Sequence, residues 1–170
     1  MSTKRVFVLD TNIFIEAARR YYAFDLAPGF WESLLTHGQK GNILSIDRVK
    51  QELDRGKDGD PLAMWADTHF RACFKKSDTQ QVVSFYGQLM VWSQAHPQYT
   101  AAAKAEWAKG TNADAWVVAF AKANGHVVVT HESHDEKAKK RVTIPAACKH
   151  LSVESISTFE MLRELGIRLG

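Results

Sequence analysis

Two cysteines, Cys73 and Cys148, are all that the 170 residues contain. Their separation matches no metal or redox spacing, which excludes a disulfide scaffold and a thiolate zinc site. No apolar run approaches the roughly 20 residues of a membrane-spanning helix. The opening Met1-Ser2-Thr3-Lys4-Arg5 runs straight into a short apolar stretch that meets Asp10, so a signal peptide is not expected. A reducing cytoplasm is the expected location. Excess charge of one sign is also scarce: 22 Lys and Arg stand against 19 Asp and Glu, a net charge of +3. Such a balance permits binding to a polyanion without requiring it.

What is present is an apolar chain of ordinary globular make-up. At 45% hydrophobic and 24% charged residues, it is too apolar for disorder and long enough to bury a sizeable core. Neither a repeat nor a linker divides it, so a single domain over 1–170 is expected. Val6-Phe7-Val8-Leu9, Asn42 to Ile46 and Val127-Val128-Val129 have the β-branched, apolar character of buried strands. A further short strand is expected over 151–153. Helical spacing is expected over 13–22, capped by Thr11 or Asn12, and from Pro28 to the glycines at 38 and 41. A brief helix capped by Asp47 carries Glu52. Longer helices are expected over 62–74, 80–95 and 99–108. The helix 114–124 ends at Gly125, and Ser157 caps a last one. Alternating strands and helices argue for an α/β fold with a mostly parallel sheet, whose ligands bind beyond the carboxyl ends of the strands.

That rule draws attention to four acids. Asp10 follows the first strand, Glu132 follows Val129-Thr130-His131, Glu52 lies on the helix after the second strand, and Asp114 opens a strongly apolar helix. Singly, each reads as a cap, a loop residue or an exposed helix charge. Jointly, partly buried carboxylates repel one another unless a cation offsets them. Hard oxygen ligands favour Mg²⁺ or Mn²⁺, which can acidify a bound water and stabilise charge on a phosphoryl oxygen. No nucleophilic Ser or Cys accompanies the acids, so metal-assisted hydrolysis of a phosphodiester is the best chemical match.

The same residues carry a resemblance. Val8-Leu9-Asp10-Thr11-Asn12-Ile13-Phe14-Ile15, Val49-Lys50-Gln51-Glu52-Leu53, Ala113-Asp114-Ala115-Trp116 and Val128-Val129-Thr130-His131-Glu132 resemble, in that order, the PIN-domain ribonucleases. Within them the chain is similar to the VapC-like toxins and more closely to the DUF4411 family. The stretches Arg20-Tyr21-Tyr22, Phe30-Trp31 and Ser45-Ile46-Asp47 add to the latter likeness. The resemblance implies a three-layer α/β/α PIN-like fold around a central, mostly parallel sheet. It also implies an endoribonuclease using Mg²⁺ or Mn²⁺, acting as the toxin of a type II toxin–antitoxin pair, with a homodimer and an antitoxin as expected partners. Asp10, Glu52, Asp114 and Glu132 become catalytic and metal-binding residues, and Asn12, Thr130 and Ser45 orient ligands or water. Asp135, three residues after Glu132, competes for the fourth place. The helical region of about 60–108 exceeds a minimal PIN domain and is a candidate lid or interface.

Other signals attach to RNA. The basic run Lys137, Lys139, Lys140 and Arg141 follows the fourth acid, where it is placed to hold a phosphate backbone. His131 is a further candidate for phosphate contact. His131 and His134 lack further ligands at zinc spacing. Arg19, Arg20, Tyr21 and Tyr22 mix charge with aromatics as single-stranded bases require, although packing also explains the tyrosines. Two alternatives to the ribonuclease stand. One is a non-catalytic PIN-like module binding RNA or protein, which has no use for four acids. The other is a structure-specific DNA nuclease, for whose gripping segments the chain leaves little room.

Overall fold

The computed structural model describes residues 4–170. Strands β1 (Phe7–Leu9), β2 (Ile43–Ile46) and β4 (Val127–Val129) are buried at every residue, as strands covered on both faces must be. Two-residue strands β3 (Phe74–Lys75) and β5 (Ser155–Ile156) form the edges. All neighbours pair in parallel, in the order β3-β2-β1-β4-β5. The direction of winding reverses between β1 and β4. The crevice beyond their carboxyl ends is therefore the switch point at which open α/β sheets take ligands.

Helices α1 (Thr11–Glu16), α2 (Pro28–Gln39), α3 (Asp47–Asp54) and α4 (Pro61–Trp65) lie between β1 and β3. Then come α5 (Gln80–Ala95), α6 (Ala101–Trp107), α7 (Asp114–Asn124), α8 (Ile144–Leu151) and α9 (Thr158–Glu164). In the first group α2 and α3 pack on β2 with α1 and α4 against α3, whereas α5 and α8 pack on α7, which lies against β1, β2 and β4. Right-handed crossovers put these groups on opposite faces, which makes the three α/β/α layers. In one layer the rings of Phe14, Trp31, Trp65, Phe70 and Phe74 touch at centroid distances of 4.7 to 6.3 Å. In the other, α7 is buried from Asp114 through Ala121, the signature of an interior helix. Gly125 ends it with φ +67°, a left-handed turn that favours glycine. No helix among the described residues is long and apolar enough to cross a membrane.

Three elements depart from sequence expectation in their course. The expected helix over 13–22 is regular only to Glu16. It then widens into a π-helical turn in which Tyr22 N donates to Ala17 O, five residues back, at 2.8 Å. The expected helix over 62–74 likewise breaks after Trp65 into π and 3₁₀ turns, because Phe74 pairs with Ser45 as an edge strand. The strand expected over 151–153 is displaced to Ser155–Ile156. Thr143 caps α8 by accepting from Ala146 N, α8 runs through Leu151, and Ser152 turns the chain left-handed at φ 57°.

Candidate active site

Asp10 occupies the cap position of α1, with extended backbone, yet its side chain caps nothing. Neither Thr11 nor Asn12, the residues expected there, takes that place. The carboxylate is fully buried instead. Its Oδ2 accepts from Thr130 Oγ1 at 3.2 Å, while Oδ1 has no partner among the described residues. Thr130 uses its hydroxyl twice, because the same oxygen accepts from Glu132 N at 3.1 Å. The first residue after β1 and the loop after β4 are thereby joined across the switch point.

Helix α3 brings the second acid by gripping the entry to α7. Arg48 Nη1 donates to Gly110 O and Arg55 Nη1 to Thr111 O, both at 3.2 Å. Glu52 Oε1 accepts from Ala113 N at 2.7 Å. Positions 48, 52 and 55 share one helical face, and the Arg48 guanidinium stacks 3.7 Å from the Trp116 ring centre. Asp47, expected as the cap of α3, is its first helical residue. It accepts instead from Arg48 N and Ser77 Oγ. Asn112 Oδ1 accepts from Asp114 N at 3.0 Å, so Asp114 enters the site from a helix whose orphan first-turn donor is satisfied.

Glu132 is held from two sides. Its Oε2 accepts from Ile144 N at 2.7 Å, and its Oε1 pairs with Arg141 Nη2. The same guanidinium nitrogen stands 3.6 Å from Asp114 Oδ2. Beside them opens a cleft of about 400 Å³ lined by Thr11, Asn12, Glu52, Trp107, Asp114 and Arg141, among others.

The electrostatics follow from burial. Asp10 is pushed well above the usual carboxylate range, first by desolvation and then by Asp114, Glu132 and Glu52. Desolvation and Glu132 push Asp114 up to about 7, and Arg141 partly offsets the rise. Burial, Glu132 and Asp10 push the nearby Cys148 thiol up to about 12, so it stays protonated and inert. Among the described residues no three His, Cys, Asp or Glu side chains converge as a ready cation cage; Glu52 and Glu132 are turned to backbone amides and Arg141. The donor chemistry nevertheless fits a hard divalent ion. Asp10 Oδ1 is a buried carboxylate oxygen without a donor, and all four side chains offer oxygen alone.

The remaining candidates divide. Asn12, Lys140 and Arg141 line the cleft. Lys137 and Lys139 are not part of that lining; their backbones are tied elsewhere, Lys137 N donating to Asp135 Oδ1 and Lys139 O accepting from Thr100 N. Asp135 is exposed and turned into its own loop, so Glu132 is the acid that stands beside Asp10 and Asp114. Ser45 donates to Leu9 O at 2.6 Å and ties β2 to β1. His131 faces Tyr21 and Thr158. Sequence reasoning passed over Asn112 and the amide of Ile144. The helix-opening pattern Thr143-Ile144-Pro145 signalled the second, while the partner of Asn112 is fixed by a turn.

A family model described as "Domain of unknown function (DUF4411)" matches residues 7–169. No curated relative matches the chain. Among solved structures the fold is similar to that of VapBC2 from Rickettsia felis bound to a DNA fragment from their promoter. The TM-score is 0.53 at 13% identity, covering 89% of this chain and 98% of that one. It is similar also to FitAcB from Neisseria gonorrhoeae, with a TM-score of 0.53 at 15% identity, covering 89% of this chain and 96% of that one. At such identities the likeness is one of fold. The match over nearly its whole length assigns this chain to the DUF4411 family.

Proposed function

We propose that this protein is a Mg²⁺- or Mn²⁺-dependent endoribonuclease that hydrolyses RNA phosphodiester bonds. The observation that supports the reading is the fully buried Asp10 carboxylate beyond β1, with one oxygen unpartnered and the charges of Asp114, Glu132 and Glu52 near enough to raise it. Asp10 and Asp114 would hold the ion, with Glu132 in support and Glu52 at the cleft wall. Bound there, a divalent ion supplies a more acidic water and offsets charge on phosphoryl oxygens. The chain's own part is to seat the substrate. Lys140 and Arg141 face the cleft as phosphate partners. Thr130 fixes the Asp10 carboxylate through Oδ2, leaving Oδ1 for a ligand.

The fold shared with VapBC2 and FitAcB supports the further reading that the protein is the toxin of a type II pair, with a cognate antitoxin. A homodimer and a single cytoplasmic domain complete it. Pure protein incubated with total RNA and Mg²⁺, followed by mapping of 5′ ends, tests the activity. Products with 5′-phosphate and 3′-hydroxyl ends are expected. Cleavage that persists in excess EDTA, or leaves 2′,3′-cyclic phosphates, refutes the metal assignment. One observation favours a non-catalytic RNA-binding module instead: Arg141 already pairs with Glu132 and approaches Asp114. That reading expects RNA retention without cutting in the same experiment.

A further inference from the structure

The paired tyrosines at 21 and 22 differ in burial. Tyr22 packs inward, stacked on Phe30 at 4.3 Å between centroids, and its carbonyl accepts from Trp31 Nε1 at 2.7 Å. The Tyr21 ring lies 6.3 Å from that of Tyr22 between centroids, yet it is 54% exposed. A regular helix would set these neighbours about 100° apart around its axis. Here the π-helical turn 17–21 ends between them, with Tyr22 N bonded back to Ala17 O. π-helical turns concentrate at functional sites. The exposed ring is not left to itself, because it contacts the His131 imidazole at 5.8 Å between centroids and a tilt of 42°. His131 Nε2 in turn lies 3.5 Å from Thr158 Oγ1.

The position of His131 gives this ledge its meaning. It sits between Thr130, which bonds Asp10, and Glu132, which bonds Arg141. The aromatic ledge is thereby next in the chain to two residues that hold the acids, while Thr11, Asn12, Lys140 and Arg141 share with Glu52 and Asp114 the lining of the cleft. Arg19 and Arg20 are exposed immediately before Tyr21, and with Arg20 Nε 3.3 Å from Glu16 Oε2 the two cations outnumber that one acid beside the half-exposed ring. An aromatic face beside cationic side chains is the arrangement that binds unpaired bases through stacking while the backbone is held electrostatically.

We propose that Tyr21, braced by His131, is the stacking platform for one unpaired base of a single-stranded RNA crossing the acids. This rests on the nuclease reading and names the feature of the substrate it would select: a strand free to unstack beside the cut. A base inside a duplex keeps its neighbours on both faces and has none to offer Tyr21.

The test uses the full chain, Ca²⁺ in place of Mg²⁺, and fluorescein-labelled single-stranded RNA read by anisotropy. A parallel set of oligonucleotides carries 2-aminopurine at each position in turn. Tyr21→Ala is expected to weaken binding by about tenfold, as loss of one stacked base does, and Tyr21→Phe to restore most of it. One 2-aminopurine position should be quenched by the wild type and by Tyr21→Phe but not by Tyr21→Ala. An abasic nucleotide at that position should weaken the wild type and leave Tyr21→Ala unchanged. Equal binding by wild type and Tyr21→Ala, with RNA still cut in Mn²⁺, overturns this inference alone. Absence of both binding and cutting overturns the nuclease reading with it. Equal losses at every oligonucleotide position show that Tyr21 serves the fold, and overturn the platform.

Discussion

Replacing Asp114 with asparagine should stabilise the metal-free protein, and by an amount that depends on pH. Its carboxyl is raised from an ordinary value of 3.8 to about 7, mainly by burial and by Glu132. The folded state therefore holds the proton more tightly than the unfolded chain does. The stability this group contributes is fully present below about pH 4 and is lost as pH rises through about 7. Some three pH units at about 1.36 kcal/mol each set a ceiling of about 4 kcal/mol on the loss. Because the Asp114 charge also raises Asp10, the loss belongs to that pair rather than to Asp114 alone. Asp114→Asn removes the charge and keeps the shape. Its stability relative to wild type should grow by about 2–3 kcal/mol between pH 5 and pH 8, or roughly 5–10 °C in melting temperature for a chain of this size. Any fixed cost of the amide is equal at the two pH values and cancels from that difference. Urea and thermal unfolding in EDTA, on both proteins at both pH values, measure it. A gap that stays level or narrows toward pH 8 refutes the idea that like charges strain this site.

Four further outcomes follow from the contacts. Glu52→Gln keeps an oxygen to accept from Ala113 N, so stability should change by less than about 1 kcal/mol while cleavage of RNA falls at least tenfold. Thr130→Val removes both the donor to Asp10 and the acceptor for Glu132 N, and should cost about 1–3 kcal/mol in urea unfolding. Ser45→Ala strands the buried Leu9 carbonyl and should cost about 1–2 kcal/mol. Cleavage per folded molecule should stay unchanged, and a large loss there would instead place Ser45 in the chemistry. Arg141→Ala leaves Asp114 and Glu132 without their shared cation. Mn²⁺ should then bind more tightly by calorimetry in the absence of RNA, and weaker binding would count against competition for the acids.

Much of this architecture was legible in the chain because its signals are local. Val127-Val128-Val129 and the run before Asp10 are apolar without alternation, which requires cover on both faces and so a parallel sheet between helical layers. The rule that ligands sit beyond the carboxyl ends of such strands then located Asp10 and Glu132, and the burial of α7 brought in Asp114. Other features depended on partners distant in sequence. Phe74 reads as the end of a helix until Ser45 is beside it to form an edge strand. The basic run 137–141 reads as one patch, yet with Lys139 O tied to Thr100 N only Lys140 and Arg141 of it line the cleft. Spacing could not show that Glu52 would meet Ala113 N, 61 residues away. Nor could it show that one Asp10 oxygen would be satisfied and the other not. Periodicity and capping act over a few residues, whereas hydrogen-bond satisfaction and desolvation are set by whichever segments the fold presses together.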